Sequence, residues 1–359
     1  MPRTDGDPPS SPDPVTPADP ATPTDPAVSA AAAALPEAIF VTGVSRSGTT
    51  LLRTVFESTS TVAIAQENHY LGHLFERWGA RQRFARLGDP RDDATIRAIV
   101  DDLYSGAFQR RSRLREISPY WRWLLRTVPR EEVERRLLAS DRTDRGLFEA
   151  FLRLYADHHG KAVLGEKTPA HINYADELLE WFPGGRIVQM VRDPRGVYVS
   201  ELRRRRERPS SVPYRQLRYV PPLFALFVLL QVTWAWARAI DRHRELSVRY
   251  PDRYRMVRFE DLVRDPQATL AGLFDVLGLP LEPQVFDRTV VSRGVNLGEQ
   301  GFDATAADRW QHAISGRARR WLETTLRGRM RSVGYRQADP GHVGGDRPTS
   351  SAERTDLQR

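Results

Sequence analysis

The residues best suited to chemistry lie at 43–50, where an apolar run ends in a loop of sequence GVSRSGTT. Glycines spaced Gly-x4-Gly are typical of a loop whose backbone N–H groups hold a phosphate at the N-terminus of the next helix. Nucleotide kinases place a lysine after the second glycine, where this chain has Thr49. Arg46 can supply positive charge and Thr49 and Thr50 can supply hydroxyl donors to a 5′-phosphate, but a γ-phosphate would lack its lysine. The loop therefore predicts a bound phosphate and argues against ATP hydrolysis.

Charge and composition narrow the class of protein without choosing its partner. The 359 residues carry a net charge of +8, are 40% hydrophobic and include no cysteine. A sizeable core is possible, whereas disulfides and thiolate metal sites are excluded. The basic balance suits nucleic acid, an anionic membrane or a polyanionic small molecule. Of the 54 basic residues only Lys161 and Lys167 are lysines. We interpret Lys161 as chance and Lys167 as a candidate for a site that needs a compact ammonium.

The two ends of the chain differ in composition from its middle. Residues 1–36 are dominated by Pro, Asp, Ala and Thr, and residues 337–359 are rich in Gly, Asp, Ser and Arg. Such segments bury too little apolar surface to offset ordering, so we predict a disordered arm and a disordered tail around one domain at 37–336. The arm lacks a basic stretch followed by an apolar one, which argues against a secretory signal. Together with the lack of cysteine this predicts a cytoplasmic protein.

Between those ends, short apolar runs alternate with helical patterns. Strands are predicted before the first loop and at 62–64, 162–166, 187–191 and 254–258. An amphipathic helix is predicted from Asn68 to Trp78, and the stretch 90–160 has helical patterns and no strand signal. The alternation predicts an α/β fold with a P-loop-type parallel sheet covered by helices on both faces. Ligands of such sheets bind at the carboxyl ends of the strands, where the first loop, Lys167 and Arg192 fall.

Four segments of the chain resemble a known family in order and spacing. They are similar to the PAPS-dependent sulfotransferases, particularly the tyrosylprotein and bacterial branch. In chain order the segments are the first loop with Leu51, Glu67, Lys167-Thr168-Pro169, and Arg192 to Ser200. PAPS is 3′-phosphoadenosine 5′-phosphosulfate. Taken singly, each segment also fits a tight turn, a helix cap, a solvated carboxylate or an exposed lysine. Their joint occurrence at predicted strand ends, over about residues 38–336, favours the family.

The resemblance implies a role for each segment. Donor binding by the first loop is assigned to Arg46, Ser47, Gly48, Thr49 and Thr50. Arg192 and Ser200 would hold the 3′-phosphate of the donor, and Lys167 would meet charge on the leaving phosphate oxygen. Glu67 would be the general base for an acceptor hydroxyl or amine, with its pKa raised by burial. No metal ion is expected, because a transferring sulfuryl group carries less negative charge than a phosphoryl group.

The chain also departs from the family pattern at several positions. His69 is a rival base two residues after Glu67, and Phe259 replaces a tyrosine that is common in the family. The stretch Gly301 to Trp310 resembles the late loop that closes over the nucleotide, and Arg309 is a candidate basic contact there. A helical insert on the acceptor side is expected to set the choice of a small-molecule, glycan or lipid acceptor.

Two other functions stay open on the sequence alone. One is a lysine-poor P-loop kinase that uses ATP and Mg²⁺, although no second carboxylate site for the metal is evident. The other is a noncatalytic binder of polyanions, for which the net charge of +8 would suffice. Nucleic acid is not the expected partner, because no known nucleic-acid module or basic patch with interleaved aromatic residues is present.

The most apolar stretch runs from Leu223 to Ala237 and has arginines on both sides. It falls short of the roughly 20 residues needed to cross a bilayer, so a buried helix is predicted. A second hypothesis assigns residues 207–237 to a hydrophobic acceptor or to peripheral contact with an anionic membrane.

Overall fold

The computed structural model describes residues 35–72, 79–106, 108, 118–209, 212–288 and 301–335. The chain divides into two units, Met1–Leu35 and Pro36–Arg359, and the second contains the fold described below. Apart from Leu35 and Pro36, the arm and tail for which we predict disorder lie outside the described residues. Both therefore stay predictions, as do the domain boundaries.

Five parallel strands form the centre of the second unit. They are β1 Ala38–Gly43, β2 Val62–Ala65, β3 Val163–Lys167, β4 Arg186–Val191 and β5 Tyr254–Arg258, in the sheet order β2-β3-β1-β4-β5. In the register of the central strand, Val41 pairs with Lys167 on one side and with Val188 on the other. Every residue of β1, β2 and β3 is buried, as expected for strands covered on both faces. The predicted α/β fold is confirmed.

Helices surround this sheet and connect its strands. Those of the first half are α1 Thr49–Glu57, α2 Ala80–Phe84, α3 Asp93–Tyr104, α4 Pro119–Thr127, α5 Arg130–Leu138, α6 Asp144–His158 and α7 Ala175–Trp181. Those of the second half are α8 Pro194–Glu207, α9 Val212–Leu217, α10 Pro221–Arg249, α11 Phe259–Arg264, α12 Pro266–Leu277, α13 Gln284–Arg288, α14 Gly316–Thr325 and α15 Arg327–Ser332. Short 3₁₀ turns occupy Pro169–Tyr174, Ala304–Ala307 and Arg309–His312.

Helices α2 to α6 follow β2 and precede β3 along the chain, and they pack around aromatic side chains. Trp121 lies edge-on to Phe151 with ring centroids 5.0 Å apart and edge-on to Phe84 at 6.0 Å. These contacts join the helical segment to the face of the sheet through Phe40, whose ring lies 6.3 Å from that of Phe148. The predicted helical character of the stretch 90–160 is confirmed for its described part.

A second core forms where α8, α10 and α14 meet. Its buried side chains include Val197, Phe224, Val228, Trp236 and Leu322. Among the described residues, α10 alone is long and apolar enough to cross a membrane, yet half of its most apolar window is buried inside the protein. That burial is what a core helix requires, and it fits the helix predicted between Leu223 and Ala237.

The helix predicted from Asn68 to Trp78 is wrong in its first part, since residues 68–72 are not helical. The Asn68 side-chain oxygen accepts a hydrogen bond from the Tyr70 N–H at 2.8 Å, and its carbonyl accepts one from Trp121 Nε1 at 2.7 Å. His69 has φ 51° and Gly72 has φ 150°, values that no right-handed helix contains. Residues 73–78 lie outside the described part of the chain.

Candidate active site

The segments that follow the five strands converge at one edge of the sheet. Parallel strands all end at the same edge, and ligands bind beyond it in open α/β sheets. The first loop follows β1, Lys167 ends β3, and Arg192 follows β4. Glu67 lies two residues after β2, and Phe259 directly follows β5. The sheet thus places the predicted donor and catalytic residues on adjacent strand ends.

The first loop has a backbone that only its glycines allow. Gly43 has φ 143° and Gly48 has φ 100°, both in the region that side chains disfavour. A Cβ on Gly43 would lie 2.4 Å from the Met190 carbonyl oxygen, and one on Gly48 would lie 2.5 Å from the Phe259 ring. Gly48 is the N-cap of α1, whose first turn holds no acidic residue. The first-turn N–H groups therefore remain suited to an anion.

Three hydroxyl residues of this loop are assigned to donor binding, and they occupy different environments. Ser47 is buried, and both its N–H and its hydroxyl donate to the Val44 carbonyl, at 3.1 and 2.6 Å. Ser47 thus closes the loop on itself in this structure. Thr49 is also buried, whereas Thr50 is exposed at the start of α1. Of the three hydroxyls, that of Thr50 lies most openly at the mouth of the loop.

Arg46 and Arg192 lie together beside this loop. Arg192 donates to the Arg46 carbonyl at 3.3 Å, and Arg46 Nε donates to the Ser200 hydroxyl at 3.1 Å. The residues assigned to the 5′- and 3′-phosphates of a donor are therefore in one cluster. Neither guanidinium forms an ion pair within the described ranges. Two such cations favour an anionic ligand.

Arg192 is the more enclosed of the two arginines. Its guanidinium stacks on the Phe259 ring at 4.2 Å and donates to the Ala306 carbonyl at 2.9 Å. Its Nε is buried and has no hydrogen-bond partner among the residues that the structure describes. Burial lowers the pKa of Arg192, although the nearby Glu260 carboxylate opposes this effect. A buried donor without a partner is costly, so this nitrogen fits a site completed by an anion.

A polar network fixes the backbone at the start of α8. Trp236 Nε1 donates to the Arg192 carbonyl at 2.8 Å, and the Asp193 side chain caps α8 by accepting from the Arg195 N–H at 2.8 Å. Glu260 accepts from the Asp193 N–H at 3.0 Å and from the Tyr335 hydroxyl at 2.6 Å. The sequence did not indicate a role for Glu260 or Tyr335. The one hint in the sequence is that a carboxylate, Glu260, directly follows Phe259.

The late loop reaches Arg192 through its backbone. Ala306, in the turn Ala304–Ala307, provides the carbonyl that accepts from Arg192. Arg309 pairs with Asp303 and lies 3.3 Å from the Thr305 hydroxyl. In this structure Arg309 therefore organises the late loop, and its predicted contact with a nucleotide stays a prediction.

Glu67 and Lys167 form an ion pair at the ends of β2 and β3. Lys167 Nζ donates to Glu67 Oε1 at 2.5 Å, and His69 Nε2 lies 3.6 Å from Glu67 Oε2. The Lys167 side chain is 7% exposed and that of Glu67 is 32% exposed. Both residues named as catalytic, and the rival base His69, are therefore in one cluster.

The expected upward shift of the Glu67 pKa is wrong for this state of the protein. Burial acts to raise the pKa of Glu67, but the Lys167 ammonium and the hydrogen bond with His69 together hold it well below its ordinary value. Burial alone predicts a raised pKa, and the contact of Lys167 with Glu67 across adjacent strands, which no local sequence pattern reports, reverses the direction. Glu67 is thus ionised at neutral pH.

A buried cluster next to this pair was not found from the sequence. Glu166 is fully buried, accepts a hydrogen bond from the Thr168 hydroxyl and lies 2.5 Å from His171 Nδ1. The Thr168 oxygen accepts from the Asn68 N–H at 3.3 Å. This chain of contacts ties the end of β3 to the loop that carries Glu67. The feature of the sequence that could have indicated this cluster is Glu166, a charged residue beside Lys167 in a strand that is otherwise apolar.

Comparison with known proteins identifies the family. The model of a family described as the sulfotransferase family matches residues 36–283, which is more than half of the chain. The chain belongs to the sulfotransferase family. The sulfotransferase domain of the Synechococcus PCC 7002 olefin synthase superposes with a TM-score of 0.50 and 18% identity, covering 83% of this chain and 94% of that one. That likeness supports the fold alone.

Two curated sulfotransferases match part of the chain. Carbohydrate sulfotransferase 5 from Mus musculus is 30% identical over 169 residues, which are 42% of this chain and 42% of that protein. The omega-hydroxy-beta-dihydromenaquinone-9 sulfotransferase Stf3 from Mycobacterium bovis is 32% identical over 137 residues, or 38% of this chain and 33% of that protein. The matched regions span less than half of the length of these relatives.

Proposed function

We propose that this member of the sulfotransferase family transfers the sulfuryl group of PAPS to an acceptor hydroxyl or amine. The observation that carries the proposal is the pair Arg46 and Arg192, two guanidinium groups without ion pairs in the described ranges. They flank a glycine-bounded loop on β1, and Lys167 lies on the neighbouring strand. At this edge of the sheet, groups suited to an anion lie beside the Glu67 carboxylate and the Lys167 ammonium, which contact each other.

The residues present fit the two phosphates of the donor. The first turn of α1 and the loop offer N–H groups to the 5′-phosphosulfate, with Arg46 and Thr50 beside them. The Arg192 guanidinium and the Ser200 hydroxyl are assigned to the 3′-phosphate, and the Arg192 side chain has to shift for its buried Nε to reach that phosphate. Bound PAPS supplies the sulfur–oxygen bond that breaks in the reaction.

Glu67 and Lys167 then divide the chemistry between them. Glu67 takes the proton of the acceptor hydroxyl while the acceptor oxygen bonds to sulfur, and the bond from sulfur to the phosphate oxygen breaks. Lys167 stabilises the negative charge that develops on that oxygen, and 3′,5′-adenosine bisphosphate leaves.

The ion pair between the two residues makes the base dependent on the donor. An anion that draws Lys167 Nζ away removes the main influence that lowers the pKa of Glu67, and burial then acts to raise it. Donor binding would therefore convert a weakly basic carboxylate into a stronger base, so that the base gains strength only when the donor is present.

The other two functions considered for the sequence have less support. A kinase would need a lysine where Thr49 stands. A noncatalytic polyanion binder would not explain a carboxylate paired with the buried Lys167 at a strand end. The family match also favours sulfuryl transfer over both.

The acceptor is proposed to be a small-molecule, glycan or lipid alcohol. The relatives named above are a carbohydrate sulfotransferase and a sulfotransferase of an omega-hydroxylated menaquinone. We propose a cytoplasmic site of action on the lack of cysteine alone.

A transfer assay tests this function. Purified protein is incubated with radiolabelled PAPS and a panel of carbohydrate and lipid alcohols, and labelled product and released bisphosphate are measured together. Label in an acceptor, in equal amount to the bisphosphate and abolished by Lys167→Met, is the expected result. Label transfer from γ-labelled ATP instead, or bisphosphate binding without turnover on any acceptor, would support the kinase or the noncatalytic binder.

A further inference from the structure

The N-terminal half of α10 exposes a row of large apolar side chains. These are Leu223, Leu226, Leu230 and Trp234, which are 52%, 48%, 45% and 46% exposed. We refer to these four residues as the apolar stripe. Single exposed apolar residues are ordinary on protein surfaces, but a contiguous row marks an interaction site.

Helix geometry places the four side chains on one face. Their spacings of three, four and four residues follow the helical repeat, and at 1.5 Å per residue the row is about 16 Å long. The opposite face, with Phe224, Val228 and Trp236, is buried in the second core. Further along the exposed side, the surface becomes charged at Arg238, Arg244 and Glu245. The stripe is therefore a local departure from an otherwise polar surface.

Neighbouring elements extend the apolar surface. Tyr219 and Val220, directly before α10, are 74% and 45% exposed, and Val212 in α9 is 50% exposed. On the other side, Trp321 of α14 is exposed and donates through Nε1 to the Thr233 hydroxyl at 3.2 Å. Aromatic side chains of this kind, with an apolar body and a polar edge, are enriched where proteins meet the lipid–water interface.

Arginines are concentrated in the elements that directly precede α10. They lie at the end of α8 and in and after α9: Arg206, Arg208, Arg215 and Arg218. Tyr214 of α9 connects α8 to α10, because its ring contacts Arg205 at 4.4 Å and Phe227 at 5.5 Å. Within the described residues none of these four arginines has a carboxylate in ion-pair range. We refer to the four arginines as the basic rim of the apolar stripe.

We propose that the apolar stripe docks the protein on an anionic lipid surface. Leucine and tryptophan side chains enter the interface, and the basic rim meets anionic headgroups, the combination that holds interfacial helices on membranes. The helix lies on the bilayer and does not cross it, because its opposite face is committed to the protein core. This inference stands independently of the proposed sulfuryl transfer.

Charge argues against a second copy of the chain as the occupant. A two-fold dimer places the same surface patch on both subunits, so the arginine rims would face each other. The acidic residues of α8 do not offset this, since Glu201 is buried and paired with Arg205, which leaves Glu207 against the four arginines of the rim. Like charges facing each other disfavour association, whereas an anionic bilayer is complementary to the rim.

The absence of cysteine allows a direct test with single labels. Leu226→Cys and, as a control on α12, Val276→Cys are each labelled with an environment-sensitive fluorophore. Val276 is 37% exposed and lies outside α10. Vesicles of phosphatidylglycerol and phosphatidylcholine should shift the emission of the Leu226→Cys label to the blue and leave the Val276→Cys label unchanged. Equal emission of both labels with and without vesicles would overturn the proposal.

Vesicle sedimentation measures how much the stripe contributes. A variant with Leu223→Ser, Leu226→Ser and Leu230→Ser should lose at least about tenfold in partition coefficient, since each leucine contributes buried methylene groups to docking. Val276→Ser should bind as the wild type does, and wild-type binding should weaken on pure phosphatidylcholine. Thermal melting verifies that the variants are folded. Equal partition of the folded triple variant, or loss of a wild-type dimer in the variant without any vesicle binding, would contradict lipid docking.

Discussion

Replacing Glu67 by Gln tests the proposed division of labour most sharply. The change keeps the size and shape of the side chain but removes the base and the charge that faces Lys167 Nζ at 2.5 Å. A positioned general base typically contributes about 10²–10⁴-fold to the rate, or roughly 3–5 kcal/mol of barrier. We therefore expect turnover of PAPS to fall by that factor.

The affinity of Glu67→Gln for the donor nucleotide should not fall as turnover does. In Glu67→Gln the ammonium of Lys167, 7% exposed, loses its carboxylate. The free protein should lose about 1–2 kcal/mol of stability, less than a fully buried pair would cost because Glu67 is partly exposed. A bound bisphosphate restores a negative partner, so its affinity should be unchanged or up to about tenfold tighter.

The assay combines radiolabelled transfer with calorimetric titration of 3′,5′-adenosine bisphosphate. Glu177→Gln is the matched control, because Glu177 is 31% exposed, pairs with Arg81 and is assigned neither to donor binding nor to catalysis. That control should transfer and bind as the wild type does. Turnover of Glu67→Gln within tenfold of wild type, or bisphosphate binding weakened more than tenfold, would refute the reasoning.

Three further predictions follow from the same geometry. Arg192→Gln should weaken bisphosphate binding by about 2–3 kcal/mol in calorimetry, as expected for a charged hydrogen-bond partner, while the exposed Arg249→Gln changes nothing. The pH profile of kcat/KM for PAPS, which reports the free enzyme, should stay flat down to about pH 5, because the pKa of Glu67 is lowered there; a fall above about pH 5 would contradict this. Gly48→Ala should lower the melting temperature by about 4 °C or more and abolish bisphosphate binding, since an added Cβ would meet the Phe259 ring at 2.5 Å; an unchanged melting curve would contradict this.

Much of the fold follows from patterns that are local in the sequence. Strand β5 at Tyr254–Arg258 begins and ends where the sequence predicts, because a short run of strand-forming residues defines it. The helix predicted from Asn68 fails because its polar groups bond to partners distant in sequence, such as Trp121. No periodicity within the segment reports those partners.

The sequence predicts which residues form the candidate site, but it does not predict the direction in which the pKa of Glu67 is shifted. Motif spacing placed Arg46, Glu67, Lys167 and Arg192 at strand ends, and the sheet brings all four to one edge. The lowered pKa of Glu67 depends on Lys167 Nζ lying 2.5 Å away across two strands. Such a distance is set by strand order and register, which the sequence does not state.

The second core illustrates the same limit. Apolar density between Leu223 and Ala237 predicts a buried helix, and α10 does bury Phe224, Val228 and Trp236. The sequence pattern could not show which apolar residues remain outside, because both faces of this segment are apolar. The exposed stripe became evident only from the packing of α8, α9 and α14 around the helix.

Calorimetric titration with 3′,5′-adenosine bisphosphate, run in parallel with ATP and Mg²⁺, tests the central claim most directly. The loop at 43–50 with Arg46, Arg192 and Ser200 should bind the bisphosphate tightly and ATP far more weakly, because the 3′-phosphate meets Arg192 and no lysine meets a γ-phosphate. Preference for ATP and Mg²⁺, or no binding of either nucleotide, would contradict the account.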